Sequence, residues 1–170
     1  MARSPFVIDY EGSFDLALDP EQVWEVIGRT DRFEAWWPWL GELRLVGDGL
    51  VEGAHLHGVV TPPLPYRMRL DIELERCVAA ERIDAAVHGD LEGRAGLLLV
   101  PTGEPAAPGG TRATISWSIE MKQRPMRVAA LFTFPVLRWG HDRVVDAAID
   151  GFRRHVEGAP TTPTGGPAPS

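Results

Sequence analysis

The 170-residue chain has a single cysteine, Cys77, which excludes an internal disulfide and any metal site built from several thiolates. Positive charge is also scarce: 17 lysines and arginines stand against 24 aspartates and glutamates, for a net charge of −7. Nucleic-acid binding needs a basic face that releases counterions, so nucleic acid is not an expected partner. The same balance argues against attraction to an anionic membrane. No run approaches the ~18 apolar residues of a membrane span, and the opening Met-Ala-Arg-Ser-Pro leads into alternating residues without a signal-peptide core. A cytoplasmic protein with no stable membrane insertion is expected. Phosphate loops are missing too. Gly47-Asp48-Gly49 and Gly109-Gly110 read as hairpin turns with no Gly-Lys-Ser/Thr sequel, and no serine sits in a nucleophile elbow. Nucleotide hydrolysis and serine hydrolase chemistry are set aside, and no cofactor is expected.

What is present is ordinary globular material, 44% hydrophobic and 24% charged, enough for one domain with a real core. That domain is expected over residues 1–157. Residues 158–170, rich in proline, glycine and threonine and free of charge, read as a disordered tail.

From Phe6 to Leu18, apolar and polar residues alternate with period two, the pattern of a half-buried strand, with Gly12 marking a bulge. Asp19-Pro20 with Gln22 makes a capping box, and the short helix it starts stops at Gly28. Thr30 caps a second short helix that Pro38 ends. Strand-like segments follow at Leu43–Val46, Ala54–Thr61, Tyr66–Cys77, Ile83–His88, Leu91–Val100 and Thr111–Met121, with turn signals between them. Their spacing favours antiparallel neighbours, and their alternation favours one buried and one wet sheet face.

Between Pro125 and Val156, residues Leu131, Phe134, Leu137, Val144, Val145, Ala148, Ile149, Phe152 and Val156 fall on one helical face. Arg143, Asp146, Asp150, Arg153 and Arg154 fall on the other, and Pro135 should kink the helix. The reading is an α+β fold: a curved antiparallel sheet of about seven strands wrapped on a long C-terminal helix, with two short helices after the first strand.

Three groups of residues carry a resemblance. The first is Asp19-Pro20-Glu21-Gln22-Val23-Trp24-Glu25-Val26-Ile27 followed by Phe33-Glu34-Ala35-Trp36-Trp37-Pro38-Trp39. The others are Gly89-Asp90-Leu91-Glu92-Gly93 with Gly110-Thr111, and Arg138-Trp139-Gly140-His141-Asp142, where relatives often carry asparagine in place of Gly140. Over roughly residues 6–156 the chain resembles the SRPBCC (START-like, helix-grip) superfamily, in its polyketide cyclase/dehydrase-like branch. The resemblance implies a START/Bet v 1-like fold with an elongated cavity between sheet and C-terminal helix, usually for an apolar ligand. The superfamily hosts carriers, receptors and enzymes, so it speaks to fold more than activity.

Ligand-lining candidates are Trp37, Trp39, His57, Tyr66, Met68, Leu70, Trp117, Phe134, His141 and Val145. His141 interrupts an otherwise apolar stripe, so it either meets a ligand or bonds a backbone carbonyl. Asp142 does not orient it, because adjacent helix residues face apart. His55 and His57 form a His-x-His on one strand face, a spacing some metal sites use. Without an evident third ligand, a polar strand face is preferred and no metal is assigned. Which face of that strand points inward is open, because Ala54, Leu56, Gly58 and Val60 compete for it. Trp24, Trp36, Trp37 and Trp39 suit a wall at a cavity mouth or anchors for the short helices.

The favoured function is binding of a hydrophobic or aromatic small molecule, lipid-like or polyketide-like. The first alternative is a cyclase/aromatase using His141 and Tyr66, with His57 or His88 in support, as acid/base groups. The second is a protein-interaction module in which the tryptophan cluster meets a protein partner.

Overall fold

The computed structural model describes residues 7–29, 33, 40–61, 67–103, 109–122 and 149–154. Seven strands run β1 (Val7–Leu16), β2 (Leu40–Val46), β3 (His55–Val60), β4 (Met68–Val78), β5 (Arg82–Gly89), β6 (Leu91–Thr102) and β7 (Gly110–Met121), with α1 (Pro20–Gly28) after β1. They form one antiparallel sheet in the order β1-β7-β6-β5-β4-β3-β2, so the first strand closes against the last.

Alternation in the sequence becomes two unlike faces. The inner face carries Phe14 and Leu16 of β1, Leu56 of β3, Leu74 of β4, Ala85 and Val87 of β5, Leu91 and Leu99 of β6, and Ala113 and Met121 of β7. The outer face carries mostly charged residues, among them the ion pairs Arg112–Asp15 at 2.8 Å, Arg82–Asp84 at 2.7 Å and Arg94–Glu75. An antiparallel sheet with one solvated face produces this division.

Helix α1 starts as its residues dictate. Asp19 Oδ1 accepts from the Gln22 amide at 2.8 Å, and the Asp19 amide donates to Gln22 Oε1 at 3.1 Å, with Pro20 at the first helical position. Its Val23, Trp24, Val26 and Ile27 pack on a core cluster of Phe14, Leu16, Leu99 and Ala113. Phe152 is buried in the same cluster and Ile149 packs against it, while Asp150 and Arg154 of the helical residues 149–154 are exposed. Ile149, Asp150, Phe152 and Arg154 follow the expected stripe, whereas Arg153, expected on the wet face, is half-buried with its guanidinium 5.8 Å from the Phe14 ring centroid. The rest of the expected long helix, its kink at Pro135, the second short helix after Thr30 and the tail lie outside the described residues.

Gly12 corrects the expected bulge. The β1–β7 register runs unbroken from Val7↔Glu120 to Leu16↔Thr111, with Gly12 opposite Ile115. The glycine is there for space: a Cβ on it would stand 2.2 Å from the Tyr10 hydroxyl, whose ring lies along the strand and stacks on Trp117 at 4.3 Å. The register does break at Gly41/Arg44, where Glu42 takes a left-handed conformation (φ 56°), and at Leu74/Arg76.

Candidate functional site

The strands sort the candidate residues by face. Met68 and Leu70 of β4 pack against the inner cluster of Val87, Leu91 and Met121, together with Ile8, Ile72, Ala95 and Ile119. Trp117 shares the parity of Ile115 and Ile119, stacks on Tyr10 and stands opposite Ala95 in the ladder. These three candidates share one surface because Met68 and Leu70 on β4 and Trp117 on β7 all stand at the inward-facing alternate positions of their strands.

The inner face is unevenly covered. Leu74, Ala85, Leu99 and Ala113 are buried, whereas Ile8, Tyr10, Met68, Leu70, Ile72, Leu97, Ile115, Trp117 and Ile119 are only half-buried. A continuous, half-buried apolar surface therefore runs from β1 and β7 across to β4. Polar groups are few on this face. Thr111 is fully buried, and its hydroxyl donates to the Leu18 carbonyl at 2.7 Å.

His57 is not on that face. Leu56 and Gly58 point inward, Leu56 pairing with Ile72, and this settles the orientation of β3. His55 and His57 project outward, where His55 Nδ1 lies 3.0 Å and His57 Nδ1 3.4 Å from one oxygen of Asp71. His88, another acid/base candidate, is also on the outer face, 3.7 Å from Glu73. Trp37, Trp39, Tyr66, Phe134, His141 and Val145 lie outside the described residues. The Tyr10–Trp117 stack was missed as a pair, although Tyr10 stands on the inward parity of β1 and Trp117 on that of β7. Only the strand register could have joined them.

Among the described residues, open grooves lie along the outer face. One of about 790 Å³ runs over Gly96, Ser116 and Ser118 between Arg94, Arg82 and Glu11. Another, of about 850 Å³, is lined by Arg44, Val46, His57, Val59, Arg69 and Asp71. Among the described residues, no group of three or more His, Cys, Asp or Glu side chains is arranged to hold a metal ion. No helix of the described residues is long and apolar enough to cross a membrane. Burial raises the Cys77 thiol above its ordinary range, with Glu52 and Asp84 adding to the effect, so it is no thiolate nucleophile at neutral pH.

A seven-stranded antiparallel sheet with an apolar inner face and a helix docked at one end defines a START/Bet v 1-type protein. The chain belongs to the polyketide cyclase/dehydrase and lipid transport family, which it matches over residues 7–157. Solved structures agree on the fold. A Thermus thermophilus protein is similar at 15% identity and TM-score 0.72, covering 91% of this chain and 100% of its own. A START superfamily protein from Mycobacterium smegmatis is similar at 14% identity and TM-score 0.67, covering 89% and 99%. Norcoclaurine synthase from Thalictrum flavum, solved with dopamine and hydroxybenzaldehyde, is similar at 15% identity and TM-score 0.59, covering 92% and 90%. No curated protein matches the chain.

Proposed function

We propose that the chain binds a hydrophobic or aromatic small molecule, lipid-like or polyketide-like, in a chamber between the inner sheet face and the C-terminal segment. The observation that carries this reading is the half-buried state of the inner apolar surface. Tyr10, Ile72, Leu97, Ile115 and Trp117 are core-type residues on the core face, yet they are not sealed as Leu74 or Ala113 are. Apolar side chains left short of full burial beside a closed core are the lining an apolar ligand completes. The family's inclusion of lipid transport supports the same class of ligand.

Met68, Leu70 and Trp117 form the sheet side of this proposed site. Trp37, Trp39, Tyr66, Phe134, His141 and Val145 are proposed for the opposite side and the mouth. The cyclase alternative now rests on His141 and Tyr66 alone, because His57 and His88 face the outer side.

The test is native mass spectrometry of protein purified from its own host, followed by thermal shift against a panel of lipids and polyphenols. A ligand at one hundred times its Kd adds about 2.7 kcal/mol of stability. For a chain of this size that raises Tm by about 5–10 °C. No co-purifying apolar species together with a flat thermal-shift panel would overturn the proposal.

A further inference from the structure

The outer face of β3 carries an arrangement that ligand binding on the inner face does not use. His55 and His57 are two residues apart on one strand, so both rings leave the same side of the sheet. Both Nδ1 atoms approach the same Asp71 oxygen, at 3.0 and 3.4 Å. An ionised carboxylate only accepts, so the hydrogen bond from His55 places that ring's proton on Nδ1 and leaves Nε2 as its lone-pair nitrogen, while His57 makes only the longer 3.4 Å approach to the same oxygen. The rings are 15° from parallel with centroids 6.0 Å apart, and the side chains are 38% and 49% exposed.

We propose that His55 and His57 form a two-imidazole site for a divalent transition metal, with Asp71 as the positioning residue behind the His55 ring. A metal about 2.0–2.1 Å from each ligating nitrogen needs the two rings to turn toward each other from their present near-parallel, 6.0 Å arrangement, a side-chain torsion that two half-exposed histidines on one strand face can make. Asp71 and Glu73 stand beside the rings in the β3–β4 ladder, with Arg44 opposite His57 on β2 and Arg69 in the same groove, so the two carboxylates offset the two guanidinium groups and the imidazoles supply the affinity. The described residues supply no third protein ligand in place, so water or a buffer molecule fills the remaining positions and the ion exchanges readily. Among divalent ions an imidazole pair selects Cu²⁺ most strongly, ahead of Ni²⁺ and Zn²⁺. His88, held toward Glu73, is a separate histidine on the same face and serves as an internal control.

The experiment titrates full-length protein with Cu²⁺ alone, followed by calorimetry and pulsed electron paramagnetic resonance. The expected result is one equivalent bound with two imidazole nitrogens in its coordination shell. His55→Gln and His57→Gln should each lose the two-imidazole signature and at least tenfold in affinity. Asp71→Ala should keep two imidazoles and bind about 10–100-fold more weakly, the cost typical of removing a carboxylate behind a ligating histidine. His88→Gln should bind as the parent does. Circular dichroism on each variant separates loss of the site from loss of the fold. A wild-type protein without a one-equivalent class, a His57→Gln variant that retains two imidazoles, or a His88→Gln variant that loses them would each overturn the proposal. Undiminished affinity in Asp71→Ala would overturn the positioning role.

Discussion

Thr111→Val removes one hydroxyl from the best-buried polar side chain of the described residues and changes the shape of the side chain very little. The Thr111 hydroxyl donates to the Leu18 carbonyl at 2.7 Å, and the side chain is 0% exposed. That bond ties the turn before the α1 cap at Asp19 to the start of β7. Valine leaves the carbonyl without this donor, at a cost of about 1–3 kcal/mol. The methyl that replaces the hydroxyl returns up to ~0.8 kcal/mol through burial. The net loss is about 0.2–2 kcal/mol, or a fall in Tm of up to about 8 °C for a chain of this length. Urea denaturation, run beside Thr114→Val, is the assay. The Thr114 hydroxyl bonds Ser13 at 2.8 Å on the outer face, where water can replace it, so its loss should stay within about 0.5 kcal/mol. If the two variants lose the same stability, or Thr111→Val loses none, the argument from burial is refuted.

Gly12→Ala places a Cβ 2.2 Å from the Tyr10 hydroxyl and so must lift that ring off Trp117. The lost stack, about 0.5–1.5 kcal/mol, is nearly offset by replacing glycine within a strand, about 0.5–1 kcal/mol. Near-ultraviolet circular dichroism should therefore change while stability hardly moves, and an unchanged spectrum would contradict the described packing. Asp15 is held below its ordinary carboxylate range first by its hydrogen bond with Arg112 and then by the nearby positive charge, Arg153 included. A depressed folded-state value means the contribution is fully present above the ordinary aspartate range and is lost as pH falls through the lower folded-state value. A double-mutant cycle of Asp15→Asn with Arg112→Gln should show coupling at pH 7 that vanishes under strongly acidic conditions. Persistent coupling there would count against the ion pair.

The strands were readable because each contrasts an apolar with a charged parity, as Met68, Leu70 and Ile72 do against Arg69, Asp71 and Glu73. The α1 start was readable because Asp19, Pro20 and Gln22 encode their own hydrogen bonds. The inward face of β3 was not, since Ala54 and Gly58 contribute too little apolar bulk to outweigh two histidines on the other parity. Its orientation comes from pairing with Ile72, a long-range fact. Gly12 misled for a related reason: glycine signals a need for space or for unusual backbone, and only Tyr10 in place shows which. Nothing local marks Glu42 as the left-handed residue of a bulge. In the candidate site, Met68, Leu70 and Trp117 fall on the expected face because strand parity alone places them. His57 depended on the ambiguous strand and falls on the other side.

The pairing of β1 with β7 also governs how the chain comes into being. Leu16 meets Thr111 and Val7 meets Glu120, so the first strand has no ladder partner until nearly a hundred further residues are made. At about 5–20 residues per second, roughly 5–20 seconds pass on the ribosome between the two strands. Throughout that interval Phe14 and Leu16 lack the surface that later buries them, and β7 must close the sheet over a long loop at considerable entropic cost. Birth order therefore makes the nascent β1 the segment most exposed to mispairing, and the emergence of β7 the event that ends the risk.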